Sequence, residues 1–300
     1  MPLQFASIRN IFRENIEVKK FTFTIEGNPP KGFVTGAALR KLERFKGKVD
    51  AIAVTDCALS KLSMNSIVYC YQIQERLGIS CISHFTCRDK NSLAIQSDLL
   101  GAYSLGIENF IAMRGDSLTI GNEKKAKGVF HYDSPGLLRL MSSLNHGKTE
   151  SGLSIKTPPD MFFGAVANPS LPNQRREAER VGSKIKAGAK FIVTQPVFDH
   201  RLMRSFIMYL AENSSFGKVP IIMGVMPIKS LEQAQFLNQN VPGLFVPAET
   251  LVKFKRKNEP ETGISICHKT ISDLRNLIQG IHIFSRGNHE TIEKFYDFRD

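Results

Sequence analysis

Glu26 closes an apolar run, Phe21-Thr-Phe-Thr-Ile-Glu26, and is followed by Gly27 and the rigid pair Pro29-Pro30. A carboxylate placed there is expected to be partly removed from water. That raises its pKa and suits it to give up a proton. Asp116 follows Arg114-Gly115 at the end of a second apolar run. Its charge could stabilise a developing cation or fix an amino-substituted heterocycle. Gln195, in Thr194-Gln195, offers both a donor and an acceptor, which suits a ring with alternating N–H and C=O groups. Thr55-Asp56, His84 and Asn168-Pro169 end three further runs. Plainer roles exist for each: a loop or helix-cap charge for Glu26, a local turn with an ion pair for Arg114-Gly115-Asp116, a cap for Thr194-Gln195.

The elements that must position these residues alternate regularly. Strand candidates fall at 21–26, 50–55, 81–86, 109–114, 162–168, 191–197, 220–226 and 281–285. Helical patterns lie between them, at 63–77, 91–105, 173–187, 202–210, 230–237 and 273–278. This alternation predicts a (β/α)8 TIM barrel, one domain over residues 1–300. In a parallel barrel the C-terminal strand ends share one face, so the polar residues above converge. An open doubly wound sheet is the other arrangement, but it usually carries a glycine-rich first turn, and no GxGxxG is present. Residues 117–160 read as long loops around a short helix near 137–144, and 247–265 as a charged insertion.

Composition bounds the function. With 42% hydrophobic and 23% charged residues the chain reads as an ordinary globular protein. No apolar stretch approaches the ~18 residues of a membrane span, and the first ten residues do not resemble a secretory signal. Five cysteines without a CxxC pair point to reduced thiols and a cytoplasmic location. The net charge of +12 could attract a polyanion. The basic residues are dispersed, however, which favours a generally basic surface and no nucleic-acid partner. Two carboxylates on a barrel also suit glycoside hydrolysis, but the chain has no tryptophan for a sugar platform. Asp56, His84 and Asp116 lack helical ligand spacing, so no metal is expected.

The blocks Ile25-Glu26-Gly-Asn-Pro-Pro30, Val54-Thr55-Asp56, His84-Phe-Thr-Cys-Arg-Asp89, Met113-Arg114-Gly-Asp116, Lys184-Ile-Lys-Ala-Gly-Ala189, Thr194-Gln195-Pro-Val-Phe-Asp199 and Gly224-Val-Met-Pro-Ile228 occur in this order. As a set they resemble the methylenetetrahydrofolate reductase family over about residues 20–290, most like its short bacterial and archaeal branch. The resemblance implies a flavoprotein of one-carbon metabolism and methionine biosynthesis. Its substrate is 5,10-methylenetetrahydrofolate and its product 5-methyltetrahydrofolate, with FAD as cofactor and FMN as the other flavin it allows. Glu26 matches the acid that protonates N10, and Asp116 the aspartate near pterin and flavin. Thr55, His84, Arg114, Asn168 and Lys184 match flavin-contacting positions, with Lys184 facing phosphate. Gln195 and Gln233 match folate contacts.

The chain also departs from the family's better-known branch. Asn168-Pro169-Ser170-Leu171-Pro172 replaces a Tyr-Pro-Glu and His-Pro pattern. Leu237 stands where an aromatic residue flanks the nicotinamide side, and Arg286 is the candidate for the folate tail. The electron donor is therefore open between NADH, NADPH and a protein partner, and a homo-oligomer or a complex with a redox subunit is implied. Two other readings use the same residues: a non-redox pterin-binding partner in methyl transfer, and an inactive basic scaffold.

Overall fold

The computed structural model describes residues 8–212, 219–241, 243–257, 259–285, 287 and 289–299. Arg286 lies outside them. Eight parallel strands close on themselves in chain order: β1 (Thr22–Gly27), β2 (Ala51–Val54), β3 (Cys81–Thr86), β4 (Asn109–Met113), β5 (Phe162–Ala167), β6 (Ile192–Pro196), β7 (Ile221–Val225) and β8 (Gly280–Ile283). Around them lie α1 (Ile11–Glu17), α2 (Gly36–Glu43), α3 (Ser66–Leu77), α4 (Ser92–Ser104), α5 (Ser134–Asn145), α6 (Gln174–Lys186), α7 (His200–Ala211), α8 (Leu231–Asn240), α9 (Ala248–Arg256) and α10 (Pro260–Leu274). The (β/α)8 barrel expected from the alternation is the fold. Among the described residues no helix is long and apolar enough to cross a membrane.

Strand alternation divides each run between two cores. Phe23, Ile25, Ile52, Val54, Phe85, Phe110, Phe163, Ile281 and Ile283 pack outward against the helices. Ala51, Ala53, Ile82, Ile111, Phe162, Val193 and Ile222 fill the barrel interior. The helix α1, not anticipated from sequence, belongs to this inner core. Its Phe12 meets Phe162 and Phe191 edge-on, with centroids 6.1 and 5.0 Å apart. The barrel interior is thereby plugged at its N-terminal mouth and opens at the C-terminal one.

The segment 247–265 is not an insertion. It holds α9 and the start of α10, whose Pro260 supplies a preset first turn. The charges fill the outer faces, while Phe254, Ile266, Cys267, Ile271 and Leu274 are buried at helical spacing. The helix expected at 273–278 is the end of α10 followed by a short 3-10 turn, Arg275–Leu277. The helix α2 was also missed; only Leu39 and Leu42 mark its buried face.

Candidate active site at the C-terminal mouth of the barrel

A cavity of about 440 Å³ opens at the C-terminal ends of the strands, within the usual range for small-molecule sites. Glu26, Thr55, His84, Asp116 and Gln195 all line it. Arg114, Asn168, Lys184 and Gln233 do not. Arg114 stacks on Phe130 beside the mouth, 4.3 Å from the ring centre. Asn168 donates from Nδ2 to the Gly243 carbonyl at 2.7 Å. Lys184 reaches the end of β5, where Nζ donates to the Val166 carbonyl at 2.7 Å. Burial lowers its pKa, with Glu177 pulling the other way. Gln233 sits in a helix cap, accepting from the Lys229 N–H at 2.7 Å while its own N–H donates to Ser230. The apolar walls are Ile111, Met113, Val193, Met226, Leu237 and Phe284.

Glu26 is oriented by a side chain that sequence reasoning missed. Asn28 donates from Nδ2 to Glu26 Oε1 at 2.9 Å, and its Oδ1 accepts from Thr55 Oγ1 at 3.1 Å. One amide therefore ties the end of β1 to the end of β2. Asp56 does the same for β2 and β3: its Oδ2 accepts from Thr86 Oγ1 at 2.8 Å and Thr86 N at 3.0 Å.

The carboxylate of Asp116 is gripped by the loop after β2. Oδ2 accepts from the Leu59 N–H at 2.7 Å, and the Asp116 carbonyl accepts from Ser60 Oγ at 3.1 Å. This loop is strained. Cys57, Leu59 and Ser60 have φ of 46°, 54° and 53°, each costing about 1 kcal/mol or more for a side chain with Cβ. Arg88 holds it in place. It is 2% exposed and donates to the Cys57 carbonyl and Ser60 Oγ, both at 3.2 Å. Its other edge grips Asp89 bidentately. Burial works against the Arg88 charge, but the Asp89 carboxylate, with Asp56 behind it, keeps its pKa above the ordinary value. Arg88 lies in a quoted sequence block, yet nothing in its neighbours marked it for burial.

Gly115 makes the turn from β4 to Asp116 with φ 89°, and a Cβ there would lie 2.8 Å from Arg88 Cβ. Gly115→Ala is expected to destabilise the protein by about 2–4 kcal/mol, from left-handed strain plus overpacking. Urea denaturation would check it; an unchanged midpoint would show that the turn relaxes freely.

His282 was also missed. It occupies an inward position of β8, between two outward isoleucines, and lines the cavity with His84. Its Nδ1 lies 3.0 Å from Thr24 Oγ1, whose proton can go to the Ile281 carbonyl at 3.3 Å. In that arrangement Nδ1–H donates to Thr24 and the Nε2 lone pair is left over. The Nε2 atoms of both His84 and His282 are buried and lack a hydrogen-bond partner among the described residues. Burial lowers His84 to about 4; burial, with His84 nearby, lowers His282 to about 3. Both rings are neutral near pH 7.

Below pH 6.5 the unfolded chain binds protons at these histidines and the folded protein does not. Stability therefore falls as pH drops from about 6.5 towards 4, by up to about 1.4 kcal/mol per pH unit for each ring. Urea midpoints at pH 7 and pH 5 should shift less in the double variant His84→Gln/His282→Gln. The same shift in both proteins would exclude the pair as the source.

The remaining titratable groups limit the chemistry. Burial pushes the Cys87 and Cys267 thiols up to about 12, so neither is a ready thiolate nucleophile. Among the described residues no three His, Cys, Asp or Glu side chains are grouped to hold a metal.

The sequence profile of the family described as methylenetetrahydrofolate reductase matches residues 11–297. The chain belongs to this family. Methylenetetrahydrofolate reductase 2 of Saccharomyces cerevisiae is 27% identical over 71% of this chain and 35% of its own length. Methylenetetrahydrofolate reductase 1 of Schizosaccharomyces pombe is 25% identical over 85% of this chain and 42% of its own length. The chain thus spans about two fifths or less of these relatives. Among solved structures, a Clostridium thermocellum protein that binds two copies of 5-methyl-5,6,7,8-tetrahydrofolic acid superposes with a TM-score of 0.68. That match is 15% identical and covers 96% of this chain and 98% of the other. At that identity the likeness establishes the barrel fold and nothing finer.

Proposed function

We propose that this chain holds a flavin, FAD in preference to FMN, and reduces 5,10-methylenetetrahydrofolate to 5-methyltetrahydrofolate by ping-pong hydride transfer. One observation carries the reading. Glu26, Thr55, His84, Asp116 and Gln195, from five different strand ends, meet at one cavity in a chain of this family. The cavity also suits a flat heteroaromatic ring. Apolar side chains form its walls, and the His84 and His282 rings, which also line it, would meet a ring that carries polar edges.

Thr55, His84 and Asp116 would hold the flavin, with Arg114 beside the mouth and Asn168 and Lys184 at the end of β5. Glu26, Asp116 and Gln195 would hold the folate, with Gln233 joining once it leaves its cap. A bound flavin supplies the hydride. Glu26, steadied by Asn28, gives its proton to N10 of the bridged ring and so opens it. The Asp116 charge favours the resulting 5-iminium cation. The neutral histidines add no opposing positive charge. The reading places the protein in the cytoplasm, as a homo-oligomer or with a redox subunit, and takes electrons from NADH, NADPH or that subunit.

The test is spectroscopic. Purified protein, reconstituted with FAD or FMN where necessary, is expected to absorb near ~450 nm. Anaerobic NADH, NADPH or 5-methyltetrahydrofolate should bleach that band. Protein that takes up neither flavin would sink the reading in favour of a non-redox pterin-binding partner or an inactive scaffold.

A further inference from the structure

A second recess, of about 500 Å³, lies at the opposite end of the barrel from Glu26. Lys20 and Phe21 lead into β1 and Gln279 leads into β8, so this is the N-terminal face of the sheet. Lys19, Lys20, Arg275 and Arg299 converge on it. Arg299 is engaged, donating to the Gly47 carbonyl at 2.5 Å and to Asp50 Oδ1 at 3.3 Å. The Lys19, Lys20 and Arg275 charges have no carboxylate partner among the described residues. The lysines are nonetheless fixed at their base. Lys19 takes a left-handed turn with φ 58°, and the Lys20 N–H donates to the Asn15 carbonyl at 2.8 Å. The Arg275 guanidinium is held over the Phe21 ring, 3.3 Å from its centre. Burial also works against the charges of Arg13 and Arg88, yet their carboxylate partners carry both above the ordinary value. Burial lowers Arg275, and no partner reverses it.

Four positive groups around one concavity repel each other, and among the described residues Asp50 offsets one of them. An anion seated between them removes that cost. We propose that this recess binds a small, multiply charged phosphate of the pyrophosphate class. The preference for phosphate rests on the guanidinium, whose fork pairs with two phosphate oxygens at once. The adjoining ammonium groups supply adaptable donors, and the Gln279 amide adds a neutral one.

The experiment is calorimetric titration of the whole chain with inorganic pyrophosphate. Saturable binding is expected, weakened at least about tenfold in Arg275→Gln, the loss of one bidentate charge-assisted contact. Because Arg275 also packs on Phe21, Lys20→Gln is a second variant that disturbs no packing, and it should weaken binding as well. Lys255→Gln removes the same charge from the exposed side of α9 and should change nothing. Absent binding, unchanged affinity in both recess variants, or equal weakening in all three proteins would overturn the site. Citrate binding as tightly as pyrophosphate would overturn the phosphate assignment.

Discussion

Glu26→Gln is expected to keep its flavin and the reduction of that flavin by the donor, while the folate half-reaction slows by about 10²–10⁴-fold. The substitution leaves the hydrogen-bonded tie at the end of β1 in place. Asn28 Nδ2 donates to Glu26 Oε1, and a glutamine oxygen can accept the same bond. Asn28 therefore keeps its grip on Thr55, 3.1 Å away. The tie between β1 and β2 survives, and the transferable proton is lost. Stopped-flow absorbance separates the two half-reactions. If both slow equally, Glu26 serves the flavin or the fold and not the opening of the folate ring.

Arg88→Ala is expected to cost about 3 kcal/mol of stability and to loosen Asp116. Removing one partner of a buried charged network leaves the others desolvated and unpaired. Here the abandoned groups are the Cys57 carbonyl, Ser60 Oγ and Asp89. The strained turn at 57–60 then has less to hold it, and the Leu59 N–H that fixes Asp116 moves with it. The expected kinetic signature is a slower folate half-reaction with flavin still bound. Arg88→Lys should lie between, since it keeps the charge without the fork. Urea midpoints and half-reaction rates on the three proteins check both parts. A variant as stable as the parent, with an unaltered folate step, would show that the loop stands without Arg88.

Much of the barrel is legible in the sequence. Runs such as Phe191-Ile-Val and Ile221-Ile-Met can be buried on both faces only in a covered parallel sheet, and the polar residues ending them had to share a mouth. Glu26, Thr55, His84, Asp116 and Gln195 met there as that logic requires. The helices α1, α2 and α9 were hidden for a physical reason. Each buries only two or three side chains, too few for a periodic signal to rise above charged neighbours. The segment 247–265 looked like an insertion because its outer faces carry the charge and its inner faces had no visible partner.

Sequence alone determined the strand count, the closed parallel topology and the order in which the site's acids and amides arrive, because alternation and strand-end polarity are local properties of the chain. Tertiary structure alone decided which long side chains turn inward and what holds them there. Arg88 is buried because Asp89, Cys57 and Ser60 surround it, and His282 lines the cavity with its Nδ1 held against Thr24. The cationic recess behind Phe21 unites residues from both ends of the chain. Desolvation and charge pairing depend on distances through space, and those distances exist only once the barrel has closed.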